Sequence, residues 1–297
     1  MKIPNRIQWH EGMLLSPQHF QVESARVDQM IAWHTVAVNA NNWGVRKCKF
    51  DVSLLASGKL RILELDAIMP NGFAIEHNIN LEDSDSLELD LDTFKDYLKE
   101  KSLNVYLGMA TRRSMNSSDG ISMFKSLVCE PIKDEVSNAV DADIPRLKLV
   151  LRLFAGDPPP GVFTSFQICS VVNDNDVIRL GDTLSPMVDL KAAPKLLDEI
   201  RNFIEILRGK ATFIARQIKG QQDYKKQEKW HSLTQRLNAL VSGLPLLEAI
   251  NQSKFISPYS MYLALCNLLG PLSQIRNGSL PPSPPPYDHN SPHYAFT

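Results

Sequence analysis

The feature that most constrains this 297-residue chain is an apolar heptad pattern in its C-terminal part. Its members recur at alternating spacings of four and three residues: Ala193, Leu197, Ile200, Ile204, Leu207, Ala211, Ile214 and Ile218. This alternation places one apolar stripe along a helix and is typical of helices that pack together at a shallow angle. Gly220 ends the pattern. The sequence therefore predicts a long helix packed against others, either within the chain or also between subunits.

Two later stretches repeat the same spacing. The first comprises Trp230, Leu233, Leu237, Leu240, Leu244 and Leu247, and the second comprises Met261, Leu265, Leu268, Leu272 and Ile275. Gly243 and Pro245 weaken the end of the first helix. Ser257 before Pro258 is a good N-cap for the second, and Pro271 predicts a kink or break in it. We therefore expect residues 181–278 to form a helical bundle.

Residues 45–180 have a different period, because apolar and polar side chains alternate. Phe50, Val52 and Leu54 predict one strand, residues 60–67 predict its return strand, and the cleanest alternation comprises Leu147, Leu149, Leu151 and Leu153. Seven or more short strands, with turns rather than amphipathic helices between them, indicate an antiparallel β-sandwich or barrel. The predicted fold class is thus α+β and multidomain, with an N-terminal sandwich followed by a helical bundle.

An apolar arm precedes the sandwich within the N-terminal segment 1–44. A helix is predicted to follow the arm and to end near residues 39–42. The arm, residues 9–21, contains Trp9, Glu11, Gly12, Met13, Leu14, Leu15, Pro17, Gln18, His19, Phe20 and Gln21. Gly12 and Pro17 interrupt any continuous helix or strand. A segment this apolar is expected to be buried, either on its own domain or on a neighbouring subunit.

Bulk composition excludes several classes of function. With 43% hydrophobic residues and a net charge of −1, the chain has no basic surplus that would attract nucleic acid. Its four cysteines are far apart, which favours a reducing compartment over disulfides or zinc. No signal peptide is visible, and the apolar runs are too short to cross a bilayer. A soluble cytoplasmic protein without membrane insertion is expected.

Motifs for catalysis or cofactor binding are missing from the sequence. There is no phosphate-binding glycine loop and no nucleophile elbow. His10 and His19 lack the spacing of a zinc helix, and Pro17 lies between them. We therefore expect no enzymatic activity, no cofactor and no metal.

The arm also carries a family resemblance. Its pattern W-x-E-G-M-L-L-x-P-Q-H-F-Q near the N-terminus resembles the opening signature of the TssK (VasE/ImpJ) family, baseplate components of bacterial type VI secretion systems. Near the other end, Tyr287, Asp288 and His289 resemble the Y-D-H element that follows the helical region in that family. The two matches bracket nearly the whole chain.

The resemblance implies a structural adaptor rather than an enzyme. Residues 45–180 would be the family's shoulder domain and residues 181–278 its helical neck, joined as a homotrimer. The shoulder would contact the baseplate subunits TssF and TssG, at the cytoplasmic face of the inner membrane. Residues 279–297 contain a stiff proline-rich linker. In the family a head domain follows, which binds the TssJ–TssL–TssM membrane complex, and we expect that head to be missing here.

Two alternatives stay open at this stage. The arm is suited to joining shoulder to neck, or one subunit to the next.

The rival function is a phage-type receptor- or carbohydrate-binding protein with a sandwich on a trimeric stalk. Exposed aromatic residues on the sandwich tips would favour glycan binding, but loop 114–120 has none and the tip at 156–161 has only Phe163 nearby.

Overall fold

The chain divides into two compact units, Met1–Pro186 and Met187–Thr297. The computed structural model describes residues 3–81, 85–111, 121–137, 140–175, 177–220, 227–275, 279–292 and 296. The first unit holds the predicted arm, helix and sheets, and the second holds the predicted bundle. The division lies shortly after the boundary expected at residue 180.

The described residues of the first unit form one long helix, two short ones and ten strands. In chain order these are α1 (Pro17–Val38), β1 (Gly44–Phe50), α2 (Val52–Leu55), β2 (Lys59–Ile68), β3 (Ala74–Asn78), β4 (Leu87–Asp90), α3 (Lys95–Leu98), β5 (Leu103–Ala110), β6 (Phe124–Leu127), β7 (Arg146–Leu149), β8 (Leu151–Ala155), β9 (Phe163–Asp174) and β10 (Val177–Leu180).

Two four-stranded antiparallel sheets form the body of this unit. In the first sheet, the central strand β2 pairs with β1 along one edge and with both β3 and β4 along the other edge. The second sheet has the strand order β10-β9-β5-β8. A separate two-stranded sheet joins β6 and β7. Trp43, just before β1, packs edge-on against Phe166 of β9 at 6.0 Å between ring centroids. The predicted antiparallel sandwich is therefore confirmed.

A bulge in β2 explains how one long strand keeps its apolar residues inside. Lys49 of β1 pairs with Glu64 of β2, and the next residue of β1, Phe50, pairs with Ile62. Leu63 is therefore the inserted residue of β2. Side chains on a strand alternate between faces, so one inserted residue exchanges the faces. Buried positions in β2 accordingly run Leu60, Ile62, Leu65 and Ala67.

Two predicted strands differ in the structure. The strand through Val52 and Leu54 ends at Phe50, because the Asp51 carboxylate accepts from the Ser53 and Leu54 amides and starts α2. The single alternating run from Leu147 to Leu153 is split into β7 and β8. Between them the Val150 amide donates to the Met123 carbonyl at 3.0 Å, so the two halves pair with β6 and β5 respectively.

Of the thiols in the first unit, Cys169 is buried and Cys48 is half-buried. Burial raises the pKa of Cys48 to about 12 and raises the pKa of Cys169 as well, with the neighbouring Cys48 thiol adding to the second shift. Since the thiolate is the reactive form, both groups should be inert near neutral pH.

We expect Ellman's reagent at pH 8 to modify at most two of the four cysteines of the native chain and all four once denaturant is added. Rapid native modification of all four would show that Cys48 and Cys169 are not enclosed.

The second unit is the predicted helical bundle. Its helices are α4 (Pro194–Gly220), α5 (Gln227–Val241), α6 (Leu244–Asn251) and α7 (Pro258–Gln274). The single helix expected from Trp230 to Leu247 is two, because it is interrupted at Ser242 and Gly243. A methyl group on Gly243 would lie 2.5 Å from Leu268 Cδ2, so glycine lets α7 approach this break closely. Of the kink or break predicted at Pro271, the break is absent, since α7 continues to Gln274 with the proline inside it.

The heptad seam is buried over most of its length. Leu197, Ile200, Ile204, Leu207 and Ala211 are at most 6% exposed, whereas Ile214 and Ile218 are half-buried towards the end of α4. In the later seams, Leu233, Leu240 and Leu268 are buried, Leu237, Leu265 and Leu272 are half-buried, and Trp230 is exposed. An Arg208–Glu248 ion pair, with Nε 2.7 Å from Oε1, joins α4 to α6 at the surface.

Candidate assembly interface

The N-terminal arm is exposed in the isolated chain. Leu14 is 88% exposed, Leu15 and Phe20 are each 58% exposed, and Trp9 is 50% exposed. Glu11, Gly12, Pro17, Gln18 and Gln21 are also exposed, while Met13 and His19 are half-buried. The structure does not bury the arm on its own domain, which leaves burial on a neighbouring subunit as the open alternative. The arm's apolar side chains extend outward because Gly12, at φ 76°, and Pro17 turn the backbone instead of letting it join a sheet.

Two polar residues of the arm cap the start of helix α1. The Ser16 amide donates to His19 Nδ1 at 3.0 Å, and Pro17 occupies the first turn of α1. The His19 ring also packs on Trp9, with 5.8 Å between centroids. Together these contacts start the helix and hold the tryptophan beside it. His19 is thus a capping residue.

Helix α1 presents two different faces. Ala25 and Ala32 are buried, and Ala32 lies against the β2–β3 turn, where a methyl group on Gly72 would clash with Ala32 Cβ. Gly72, at φ 83°, therefore allows both the turn and the close approach of the helix. Small residues dock α1 on the sandwich, and its large apolar residues are directed elsewhere.

The outward face of α1 has heptad spacing. Phe20, Val27, Ile31 and Val38 follow one another at intervals of seven, four and seven residues, and they are between 48% and 89% exposed. We call these four residues the α1 stripe. A stripe of this width and spacing is the geometry by which one helix packs on another. Nothing in the described part of the chain covers it.

Helix α4 carries a second exposed stripe beside its buried seam. Phe203, Ile206 and Phe213 are 37%, 55% and 61% exposed and occupy a different face of the helix. We call them the α4 stripe. A helix that is apolar on two faces has more packing surface than its own bundle uses.

The Y-D-H element lies against the bundle. The Tyr287 ring packs on Tyr259 and Tyr262 of α7, and its hydroxyl lies 3.2 Å from His289 Nδ1. Burial, followed by the neighbouring Asp288 charge, raises the pKa of Tyr287 to about 12. The role of Tyr259 and Tyr262 is not predicted from the sequence, although their i, i+3 spacing places both rings on one face of a helix.

The sandwich tip offers little for the glycan-binding alternative. Phe163 packs against Phe154, with 4.8 Å between centroids, and Arg152 lies 6.0 Å from its ring centre. Loop 114–120 lies outside the described residues. No group of three or more His, Cys, Asp or Glu side chains in the described residues could hold a metal ion. None of the described helices is both long and apolar enough to span a membrane.

Comparison with known sequences supports the resemblance to the type VI secretion family. The family model of bacterial type VI secretion proteins that include EvfL, ImpJ and VasE matches residues 19–297. The type VI secretion system baseplate component TssK1 of Pseudomonas aeruginosa is 26% identical over 227 residues, which cover 72% of this chain and 49% of that protein. The chain therefore spans about half the length of this curated relative.

Comparison with solved structures shows the same fold. A crystal structure of TssK matches 99% of this chain and 67% of its own with a TM-score of 0.86 at 18% identity. A cryo-electron microscopy structure of a TssK–TssF–TssG baseplate subcomplex matches 100% of this chain and 95% of that chain, with a TM-score of 0.81 at 22% identity. These likenesses concern the antiparallel sheets and the bundle. Because the family model covers nearly the whole sequence, the chain belongs to the bacterial type VI secretion family of EvfL, ImpJ and VasE.

Proposed function

We propose that this chain is a structural subunit of a type VI secretion baseplate and that it works by assembly, with no turnover. The observation that carries the proposal is the pair of exposed, helically spaced apolar stripes on α1 and α4, in a chain that belongs to a type VI secretion family. Its relatives support this role, because they include a baseplate component and a chain solved within a baseplate subcomplex.

Self-association as a homotrimer is the first part of the proposal. Symmetric assemblies use the same patch on every subunit, and three copies of a heptad-spaced helix can meet around one axis. Among the described residues, the α1 stripe and the α4 stripe are exposed surfaces with that spacing. Burying them would remove from water most of the large apolar side chains that these two helices expose.

The arm is assigned to the contact between subunits. Leu14 and Leu15 precede the α1 stripe directly, so an apolar surface runs from the arm into the helix. The capping of α1 by Ser16 and His19 fixes the direction in which the arm leaves that helix. A neighbouring subunit that receives the α1 stripe would meet the arm as well.

Partner contacts form the second part. We propose that the sandwich of the trimer binds TssF and TssG, by analogy with the solved baseplate subcomplex that TssK forms with these two proteins. By the family resemblance, the TssJ–TssL–TssM membrane complex would be bound by a head domain that follows the proline-rich segment in the family. Assembly would take place in the cytoplasm, at the inner face of the inner membrane.

Co-purification tests this division of partners. Tagged chain of residues 1–297 is expected to retain TssF and TssG from a co-expression lysate and to fail to retain TssJ, TssL and TssM. Failure to retain TssF and TssG would contradict the baseplate role. Retention of the membrane proteins would show that the sandwich, bundle or proline-rich segment carries that contact.

A further inference from the structure

Helix α7 carries a pair of tyrosines that faces the proline-rich segment. Tyr259 and Tyr262 are three residues apart, and their rings stack with 6.4 Å between centroids and 20° between planes. Tyr287, which follows the prolines, lies between them. Its ring centre is 5.1 Å from that of Tyr259 and 5.4 Å from that of Tyr262, at angles of 60° and 45°. Tilted aromatic contacts at these distances are attractive.

A hydrogen bond connects the same surface to the proline run itself. The Tyr262 hydroxyl donates to the backbone carbonyl of Pro285. Prolines have no amide hydrogen, so a polyproline helix offers its carbonyls as acceptors and its rings as apolar ridges. Aromatic side chains with a hydrogen-bond donor are the usual means by which proteins bind such a helix. Here Tyr262 supplies the donor, whereas the prolines at 284–286 are exposed and the aromatic faces are occupied by Tyr287.

The residues after Tyr287 form a turn that is also held in place. The Asp288 carboxylate accepts from the Asn290 amide at 3.0 Å, and the Ser291 amide donates to the Asp288 carbonyl at 3.2 Å. His289 is only 6% exposed, and Pro292 is buried. The segment is therefore anchored over several residues.

We propose that Tyr259 and Tyr262 form an aromatic docking surface on α7, and that its occupant is residues 285–289 of the same chain, held by the Tyr287 ring and the Pro285 carbonyl. The Y-D-H element is then the anchor of an intramolecular strap, in which tyrosine fills the aromatic site and aspartate closes the following turn. The strap fixes where the backbone leaves the helical bundle. Without it, residues 279–292 would be a stiff spacer attached only at the end of α7.

Because the strap and its surface belong to one chain, a short motif is enough to keep the strap bound. They are separated by about a dozen residues beyond α7, so the local concentration of the strap is of millimolar order. A modest set of contacts is then occupied most of the time. The inference does not depend on trimer formation or on any partner of the proposed baseplate role.

Amide hydrogen exchange of the full chain, followed by mass spectrometry, tests the strap. We expect the hydrogen-bonded amides of Asn290 and Ser291 to be protected in the native protein. Tyr262→Phe keeps the ring and removes the donor, and it should accelerate exchange there about tenfold, the effect of one net hydrogen bond. Tyr287→Ala removes the anchor and should accelerate exchange further.

The matched control is Tyr97→Phe, which removes the hydroxyl of an exposed tyrosine in the first unit and should change nothing in this segment. Exchange within α7 should stay unchanged in all variants, which separates release of the strap from unfolding of the helix. Full exchange of the Asn290 and Ser291 amides in the native chain would overturn the proposal. Protection that rises with protein concentration would also overturn it, because the occupant would then come from another copy.

Discussion

Replacing Leu207 with aspartate is expected to unfold the helical bundle. Leu207 is 5% exposed and lies at the centre of the α4 seam. Truncating a buried leucine costs about 2–5 kcal/mol. Introducing an unpaired carboxylate adds several kcal/mol more, which together approaches the whole stability of a domain. Far-ultraviolet circular dichroism should show loss of much of the helical signal at 20 °C, with strand signal from the sandwich retained.

Ile206→Asp is the matched control, because the residue is adjacent on the same helix but 55% exposed. It places the same charge on the α4 stripe instead of in the seam, so the helical signal should remain. If the two variants melted alike, the seam would not be the buried face of α4. Ile206→Asp should instead weaken self-association, which separates the two faces of the helix experimentally.

The large divisions of this fold are predictable because they depend on hydrophobic period. The change from alternation to heptad spacing separated the sandwich from the bundle, and α4 extends over the whole seam from Leu197 to Ile218. The errors lie where a local contact overrides the period. Asp51 caps a short helix where Val52 and Leu54 continue a strand pattern, and Val150 breaks the run of leucines by pairing with Met123.

The assembly surfaces were harder to predict for a different reason. Periodicity identifies which residues share a face, but it does not say which face the chain itself buries. A helix is predicted after Pro17, but its spacing does not say that it docks through Ala25 and Ala32 and exposes Val27 and Ile31. Small alanines carry little weight in an apolar pattern, although they are what allows α1 to approach Gly72 closely.

Placing charge on the α1 stripe is expected to dissociate the assembly without unfolding the subunit. In the variant Val27→Asp/Ile31→Asp both substituted side chains are about half exposed in the isolated chain, so the circular dichroism spectrum should match that of the parent. In a symmetric trimer the pair would bury six carboxylates near one axis. The penalty of several kcal/mol for each unpaired buried charge exceeds what a trimer interface can offset.

Thr93→Asp/Ser102→Asp adds the same number of carboxylates to the same unit and serves as the control. Both residues are exposed and lie outside the arm, the α1 stripe and the α4 stripe. This variant should keep the mass of the parent. An unchanged mass for Val27→Asp/Ile31→Asp would show that the α1 stripe is not a contact between subunits, and would leave the α4 stripe as the remaining candidate.

The molar mass of the unmodified chain in solution is the most direct test of assembly. Light scattering coupled to size exclusion at micromolar concentration should give about 100 kDa, three times the 33.4 kDa of one chain. A mass of one chain across that concentration range would contradict assembly through the exposed stripes of α1 and α4.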